Sequence, residues 1–124
     1  MTKEEFVNIV HKVIYESAIR GAISNLENPP GRKPGQRLVT LSKWFNNLSP
    51  EDKEHVRAAV QSGVHAAVFS FLAVLDGVRV IDDYPEHGEL ELRYVRNGES
   101  VLINEFRSGE FLHDLFNGIP GVLE

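Results

Sequence analysis

Residues 63–83 read GVHAAVFSFLAVLDGVRVIDD, and the change of pattern inside this stretch decides the predicted fold. Up to Leu75 the apolar residues follow helical spacing. Gly77 is placed to end that helix in a left-handed conformation. From Val78 to Asp82 the spacing changes to the alternation that is typical of a strand. The stretch therefore joins a helical first half of the chain to a strand-forming second half.

The sequence before this stretch predicts three helices. A capping box opens the first helix at Thr2, and apolar residues at helical spacing continue it to about Leu26. A second, short helix is predicted over residues 38–48. Ser49 has the residue type of a helix cap and is followed by proline, so the third helix is expected over Pro50–Leu75.

The third helix is expected to bury one stripe of side chains. At about 100° per residue, the stripe consists of Val56, Val60, Val64, Ala67, Phe71 and Val74. Small residues flank this stripe around Gly63, and the first helix has small residues of its own around Gly21. Because small side chains let two backbones approach closely, we expect these two helices to pack tightly there.

The second half of the chain predicts a three-stranded antiparallel meander. Residues 78–82 form the first strand, and residues 89–96 form the second, with clean alternation. Asn97-Gly98 is the strongest short hairpin signal, because both residues tolerate positive φ. The third strand starts at Glu99. A short closing helix is expected to start at Ser108.

The two-residue turn determines which side chains share a sheet face. One face carries the apolar residues Leu90, Leu92, Tyr94, Val101 and Ile103, and we expect helices to cover it. The other face, which includes Asn104, is expected to be mostly solvated. The prediction is one α+β domain over residues 1–124, with three N-terminal helices, a three-stranded antiparallel meander and a short C-terminal helix.

Length and composition agree with one soluble domain. The 124 residues are 42% hydrophobic and 25% charged, which suits a single hydrophobic core. There is no cysteine, so disulfides and thiolate metal sites are excluded. The start lacks a signal-peptide pattern, and the longest apolar run is shorter than the roughly 20 residues that cross a bilayer. We expect a cytoplasmic protein without membrane contact.

Charge is distributed unevenly along the chain. Residues 1–62 contain nine Lys/Arg and seven Asp/Glu, whereas residues 63–124 contain four and eleven. The acidic half argues against nucleic-acid binding, which needs a basic surface. It favours a basic protein partner, because such a field steers encounter. The alternative is that the charge serves solubility alone.

Much of the negative charge lies around the predicted first and second strands. The candidate partner-binding residues are five carboxylates with an aromatic anchor among them: Asp82, Asp83, Tyr84, Glu86, Glu89 and Glu91. One interpretation is a solvated sheet face. The other is a docking surface for a basic protein, steered by charge and anchored by the aromatic ring.

His65 is the one imidazole inside the apolar run. On the helix it lies in line with Phe69, Leu72 and Asp76, roughly 120° from the expected core stripe. It is either a half-buried ring with one hydrogen bond or a working group in a pocket. Asp76 lies where the helix dipole disfavours a carboxylate, so we expect it to cap the turn or to pair with Arg79, with a functional role as the alternative.

The sequence carries no pattern for catalysis or cofactor binding. No two of the five histidines lie three or four residues apart, so no helix presents a ready pair of metal ligands. A Gly-x-Ser-x-Gly nucleophile turn is also absent. We therefore expect no catalytic residues, no metal and no cofactor, which favours a binding protein over an enzyme.

Three stretches carry a resemblance to known proteins: HAAVFSFLAVLDGVRVIDD (65–83), the acidic hairpin after it, and LHDLFN (112–117). In these the chain resembles small uncharacterised bacterial proteins of the toxin-immunity type. The likeness lies in the general character of the sequence and in the architecture, and not in a diagnostic motif. It therefore assigns no residue a role. It implies a cytosolic, acidic binding protein that blocks a bacterial toxin by covering it.

Three functional hypotheses follow. The first is a non-catalytic protein-binding module, with an immunity protein that neutralises a cognate bacterial toxin by occlusion as its concrete form. The second is a small-ligand-binding protein or enzyme with a pocket near His65 and Asp76. The third is a homodimer that pairs through an exposed sheet edge or through the small residues of the third helix.

Overall fold

The computed structural model describes residues 1–107 and 109–123. The first helical stretch has three consecutive segments: α1 (Lys3–Ile9), a π-helical segment (Val10–Glu16) and α2 (Ser17–Glu27). Helices α3 (Gln36–Asn46) and α4 (Pro50–Leu75) follow. A hairpin of β1 (Arg93–Arg96) and β2 (Glu99–Leu102) precedes the short helix α5 (Leu112–Asn117).

The predicted α+β class is confirmed, but the predicted counts of elements are wrong. The described residues contain a two-stranded antiparallel sheet instead of a three-stranded meander. The predicted first helix is divided by the π-helical segment, so three N-terminal helices is also the wrong count. The predicted start of the closing helix at Ser108 lies outside the described residues, and α5 begins at Leu112.

The helix ends are found where local chemistry predicts them. The Thr2 hydroxyl accepts a hydrogen bond from the Glu5 N–H, and the Glu5 carboxylate accepts one from the Thr2 N–H, each at 3.1 Å. Ser49 caps α4 by accepting from the Asp52 N–H at 3.1 Å. Gly77 ends the same helix with φ of 76°, a value that favours glycine. These caps depend only on neighbours in sequence.

The π-helical segment changes which side chains of the first helical stretch point inward. A π turn contains more residues than an α turn, so the residues after it are rotated relative to a regular helix. Val10 and Tyr15 are buried, whereas Val13 and Ile14 are exposed. Regular helical spacing from Phe6 and Val10 would place Val13 and Ile14 on the same face as the buried residues. The irregular turn therefore moves two large apolar side chains to the surface.

The predicted core stripe of α4 is wrong by about a third of a turn. Leu72 is 1% exposed and Ala73 is also buried, whereas Phe71 is 64% exposed. The inner face is the line of His65, Phe69 and Leu72, which packs against α5. The second half of α4 is apolar nearly all round, so spacing alone does not select the buried face.

The predicted tight packing of small residues is also wrong. A Cβ atom placed on Gly21 or on Gly63 would meet no heavy atom within 4 Å. Ala59, Ala66 and Ala67 are likewise exposed. The small-residue flank of α4 therefore faces open space.

The hairpin has the predicted turn and register. Asn97 and Gly98 both have positive φ, 52° and 81°, as the two-residue turn requires. Tyr94 lies opposite Val101, and Arg96 lies opposite Glu99. The expectation that helices cover the apolar sheet face is correct only at the base of the hairpin. Ile103 is buried there, but Tyr94 and Val101 near the tip are exposed.

One hydrophobic cluster joins elements that are distant in sequence. It contains buried residues from α1, the π-helical segment, α4, the end of the hairpin, α5 and the last turn: Val7, Tyr15, Leu72, Ile103, Leu112, Phe116 and Val122. Phe45 of α3 is fully buried as well. This packing places the end of α4, the base of the hairpin and the start of α5 next to one another.

Candidate functional site

A groove of about 680 Å³ lies where these elements meet. Its walls are two chain segments, residues 77–82 and residues 87–91. Its floor is formed by the end of the hairpin, residues 104–107, together with Phe111. We call this feature the acidic groove, because three carboxylates from its two walls line it: Asp82, Glu89 and Glu91.

Asn104 ties the two walls together at the base of the acidic groove. Its Nδ2 donates to the Leu75 carbonyl at 2.6 Å and to the Leu90 carbonyl at 2.8 Å, and its Oδ1 accepts from the Leu92 N–H at 2.9 Å. The side chain is buried, so the prediction that Asn104 faces solvent is wrong. One amide thus satisfies three backbone groups that no strand pairing satisfies.

Asp82 ties the walls together at the other end. Its carboxylate accepts hydrogen bonds from the Tyr84 N–H at 3.1 Å, the Gly88 N–H at 3.0 Å and the His87 Nδ1 at 3.0 Å. The hydrogen bond from His87 is the main reason why the pKa of Asp82 lies below its ordinary value of 3.8. The Gly88 and Tyr84 N–H groups act in the same direction, and partial burial opposes them.

Between these two ties the walls are not paired with each other. Within residues 1–107 and 109–123, the backbone N–H groups of Arg79, Val80 and Ile81 have no protein acceptor. The same holds for the N–H groups of Glu89 and Glu91 on the opposite wall. The predicted first strand therefore pairs with nothing in the described chain, which corrects the three-stranded prediction.

The walls of the acidic groove expose large apolar side chains beside the carboxylates. Val80 is 73% exposed, and five other apolar residues of the lining are also exposed: Val78, Ile81, Leu90, Phe106 and Phe111. Monomeric proteins seldom leave so many large apolar side chains together in water without a use for them. The acidic groove therefore combines apolar contact area with negative charge.

The structure brings the six candidate partner-binding residues to one end of the molecule. Asp82, Glu89 and Glu91 line the acidic groove, and the others lie in the loop that joins its walls: Asp83, Tyr84 and Glu86. Tyr84 is strongly exposed. Two of the carboxylates are engaged within the protein, because Asp82 holds the loop and Glu91 pairs with Arg93 at 2.5 Å. Asp83, Glu86 and Glu89 have no hydrogen-bond or ion-pair partner within the described residues.

Asp76 joins α4 to α5. Its carboxylate accepts from the Leu112 and His113 N–H groups, both at 2.9 Å, and from His113 Nδ1 at 2.6 Å. The side chain is only 3% exposed. The expected compensation for a carboxylate at a helix end therefore comes from the start of α5 and not from Arg79. Sequence reasoning missed this partner, because His113 lies on a helix distant along the chain.

His65 is held between two aromatic rings. Its imidazole stacks on Phe69 and on Phe116, with ring centres 5.8 and 5.7 Å away, and its Nε2 lies 2.8 Å from Asn117 Oδ1. His65 lines neither the acidic groove nor the second cavity described below, whereas Asp76 lines the acidic groove. The two residues of the alternative pocket thus do not share a cavity. Nothing in the sequence near His65 indicated Asn117, which is distant along the chain.

A second apolar surface lies where the π-helical segment meets α4. Ile9, Val13, Ile14 and Phe71 are exposed there. Beside them is a cavity of about 260 Å³ lined entirely by apolar residues: Phe6, Val10, Ile14, Ala67, Val68, Phe71 and Leu72. The residues named here are all apolar, so they supply no acid–base group, nucleophile or metal ligand.

Helix α4 itself is long and apolar enough to cross a membrane by length and composition. Its 26 residues contain a window with a mean hydropathy of 1.7, and 11% of that window is buried. The expectation from the sequence counted only the uninterrupted apolar run, which is shorter than the helix. Core helices of soluble proteins and signal sequences meet the same two conditions, so these conditions alone do not assign α4 to a membrane.

Within the described residues, no group of three His, Asp or Glu side chains is arranged to hold a metal ion. No protein-family model matches the chain, and neither the curated proteins nor the solved structures contain a match. The acidic groove is therefore the feature of the described residues that bears most directly on function.

Proposed function

We propose that the chain is a non-catalytic protein-binding module whose acidic groove receives a basic partner. The observation that carries this proposal is the combination of large exposed apolar side chains with carboxylates around one concave surface. Apolar contact supplies affinity, and charge supplies orientation and rate of encounter. A partner segment that carries both Lys/Arg and large apolar residues would complement both properties.

The charges around the acidic groove are suited to attraction from a distance. Glu86 and Glu89 are exposed and have no ion-pair partner within the described residues, so their fields are not neutralised locally. Arg79 and Arg107 also line the acidic groove, but they are fewer than the carboxylates of its walls and loop. The local excess of negative charge supports a cationic partner.

The most concrete form of the proposal is an immunity protein. In this form the chain lies in the bacterial cytoplasm and covers a basic site of a cognate toxin. Both the acidic groove and the resemblance of the sequence to small immunity-type proteins support this form. It requires binding and occlusion but no chemistry.

The alternative is a small-ligand-binding protein or enzyme that uses His65 and Asp76. It has less support, because the Asp76 carboxylate already accepts three hydrogen bonds within the protein and His65 is packed between two rings. A proton-transfer group needs access to its substrate, and neither side chain has free access.

Selection from a random peptide library displayed on phage tests the binding proposal. The full chain should enrich peptides that contain Lys or Arg together with large apolar residues. The double variant Glu86→Lys/Glu89→Lys should weaken their binding by at least about tenfold, as expected for removing and reversing two attractive charges. The matched control is Glu4→Lys/Glu51→Lys, which changes the net charge equally at exposed helix positions that do not line the acidic groove. Equal loss in both variants, or enrichment of acidic peptides, contradicts the proposal.

Co-expression tests the immunity form separately. The product of the gene beside that of this chain should arrest bacterial growth when expressed alone, and the chain should restore growth. Glu86→Lys/Glu89→Lys should restore growth less well than the control variant. If the neighbouring product is harmless, or if both variants protect equally, the immunity form is wrong.

A further inference from the structure

Residues 78–82 have the sequence pattern of a strand but pair with no other segment of the described protein. Residues 78–82, VRVID, have the alternation and the β-branched residues of a strand. Their backbone N–H groups from Arg79 to Ile81 have no acceptor within the described protein. A segment with strand-forming side chains and unpaired backbone groups is a template for pairing with another chain.

The opposite wall does not pair with this segment between the two ties. Asn104 bonds the end of α4 and the opposite wall at the base, and Asp82 bonds the Gly88 N–H at the far end. The acidic groove lies between these ties, with a volume of about 680 Å³. That volume is in the range of roughly 300–1,000 Å³ that is typical of pockets for small ligands, so it suits a short chain segment and not a folded domain.

The side chains around the acidic groove indicate the chemistry of such a segment. A strand alternates its side chains between two faces. One face of an added strand would meet Val80, Leu90 and Phe106 and is therefore expected to be apolar. The other face would lie toward the rim, where Glu86 and Glu89 favour Lys or Arg. Charge complementarity thus selects a strand in which apolar and basic residues alternate.

We infer that the acidic groove binds its partner by strand addition: an extended segment of a basic protein, with alternating apolar and Lys/Arg residues, pairs with the backbone of residues 78–82. This inference rests on the proposed function and names its binding mode. The backbone hydrogen bonds give affinity that does not depend on sequence, while the apolar floor and the acidic rim select the side chains. The bound segment gives residues 78–82 the pairing partner that they lack within the described protein.

Amide hydrogen exchange on the full chain tests the inference, with a peptide enriched in the phage selection as the probe. Saturating peptide should slow exchange at Val80 or Ile81 by at least about tenfold, because their N–H groups gain acceptors. Exchange at Ile14 in the π-helical segment is the internal control and should be unchanged. Two derivatives of the peptide, N-methylated at the odd or at the even positions, provide the second readout. At least one derivative should lose about tenfold or more in affinity, because methylation removes the backbone donors along one edge.

The outcomes separate the binding mode from the proposed function. If the peptide binds and Glu86→Lys/Glu89→Lys weakens it, but either readout fails, strand addition is overturned and the binding function stands. If the chain enriches no basic peptide, both are overturned. Slowed exchange at residues 79–81 together with loss of affinity on N-methylation supports both.

Discussion

The carboxylate of Asp76 accepts hydrogen bonds from both the side chain and the backbone of His113, at 2.6 and 2.9 Å. A third bond, from the Leu112 N–H, completes the set at 2.9 Å. Asp76 therefore holds the start of α5 against the end of α4, and Phe111 at that junction lines the acidic groove. The position of the groove floor thus depends on a buried carboxylate at the end of α4.

Replacing Asp76 should destabilise the whole fold. Asp76→Ala leaves the Leu112 and His113 N–H groups without their acceptor in a buried place, which costs about 3 kcal/mol in the free energy of unfolding. Asp83→Ala is the matched control and should change it by less than about 0.5 kcal/mol, because Asp83 is exposed. Urea denaturation followed by circular dichroism measures both. Similar values for the two variants would show that Asp76 does not hold α5.

Truncation of two adjacent residues of α4 should lower the free energy of unfolding by very different amounts. Leu72→Ala removes a side chain that is 1% exposed and should cost about 2–5 kcal/mol. Phe71→Ala removes a larger side chain that is 64% exposed and should cost less than about 1 kcal/mol. Thermal and urea denaturation of the two variants measure both changes in the free energy of unfolding. The reverse order would place the core on the stripe that the sequence spacing predicted.

Replacing Asn104 should lower the free energy of unfolding strongly, although its side chain is polar. Asn104→Ala leaves the Leu75 and Leu90 carbonyls and the Leu92 N–H without their partner, at a cost of about 2–3 kcal/mol. Asn25→Ala, on the exposed face of α2, is the control and should cost less than about 0.5 kcal/mol. Stability measured by urea denaturation should separate them. If the Asn104→Ala variant is as stable as the wild-type chain, this amide does not hold the base of the acidic groove.

The loop over residues 82–88 should loosen in acid. The pKa of Asp82 is lowered in the folded state, so the stabilisation by its carboxylate is complete above its ordinary value of 3.8 and is lost as the pH falls through the lower folded value. In an NMR titration, the Gly88 amide signal should therefore move with a midpoint below 3.8. Asp82→Asn should abolish that transition. A midpoint at or above 3.8 would contradict the hydrogen bonds assigned to this carboxylate.

Features that depend on near neighbours were predictable from the sequence. The capping box at Thr2, the cap at Ser49 and the Asn97-Gly98 turn with its register were all predicted correctly. Each depends on the chemistry of a few consecutive residues, and tertiary contacts do not alter it. The gathering of acidic residues at one end could also be foreseen, because they are close in sequence.

Features that depend on distant contacts were not predictable. The apolar pattern of α4 allows several buried faces, and only the positions of α5 and the π-helical segment select Leu72 over Phe71. The strand pattern of residues 78–82 does not show that side chains, Asn104 and Asp82, connect the neighbouring segments in place of a backbone ladder. The partners of Asp76 and His65 lie on α5, and a single sequence gives no signal for such pairs.

Chemical-shift mapping of the complex tests the central claim most directly. A peptide enriched by the wild-type chain is added to the isotopically labelled full chain, and every backbone amide is followed by NMR. The largest changes should lie on the walls and floor of the acidic groove, at Val80, Leu90 and Phe106, and should shrink as salt is added. Changes confined to Ile14 and Phe71 on the second apolar surface, or changes independent of salt, would contradict the account.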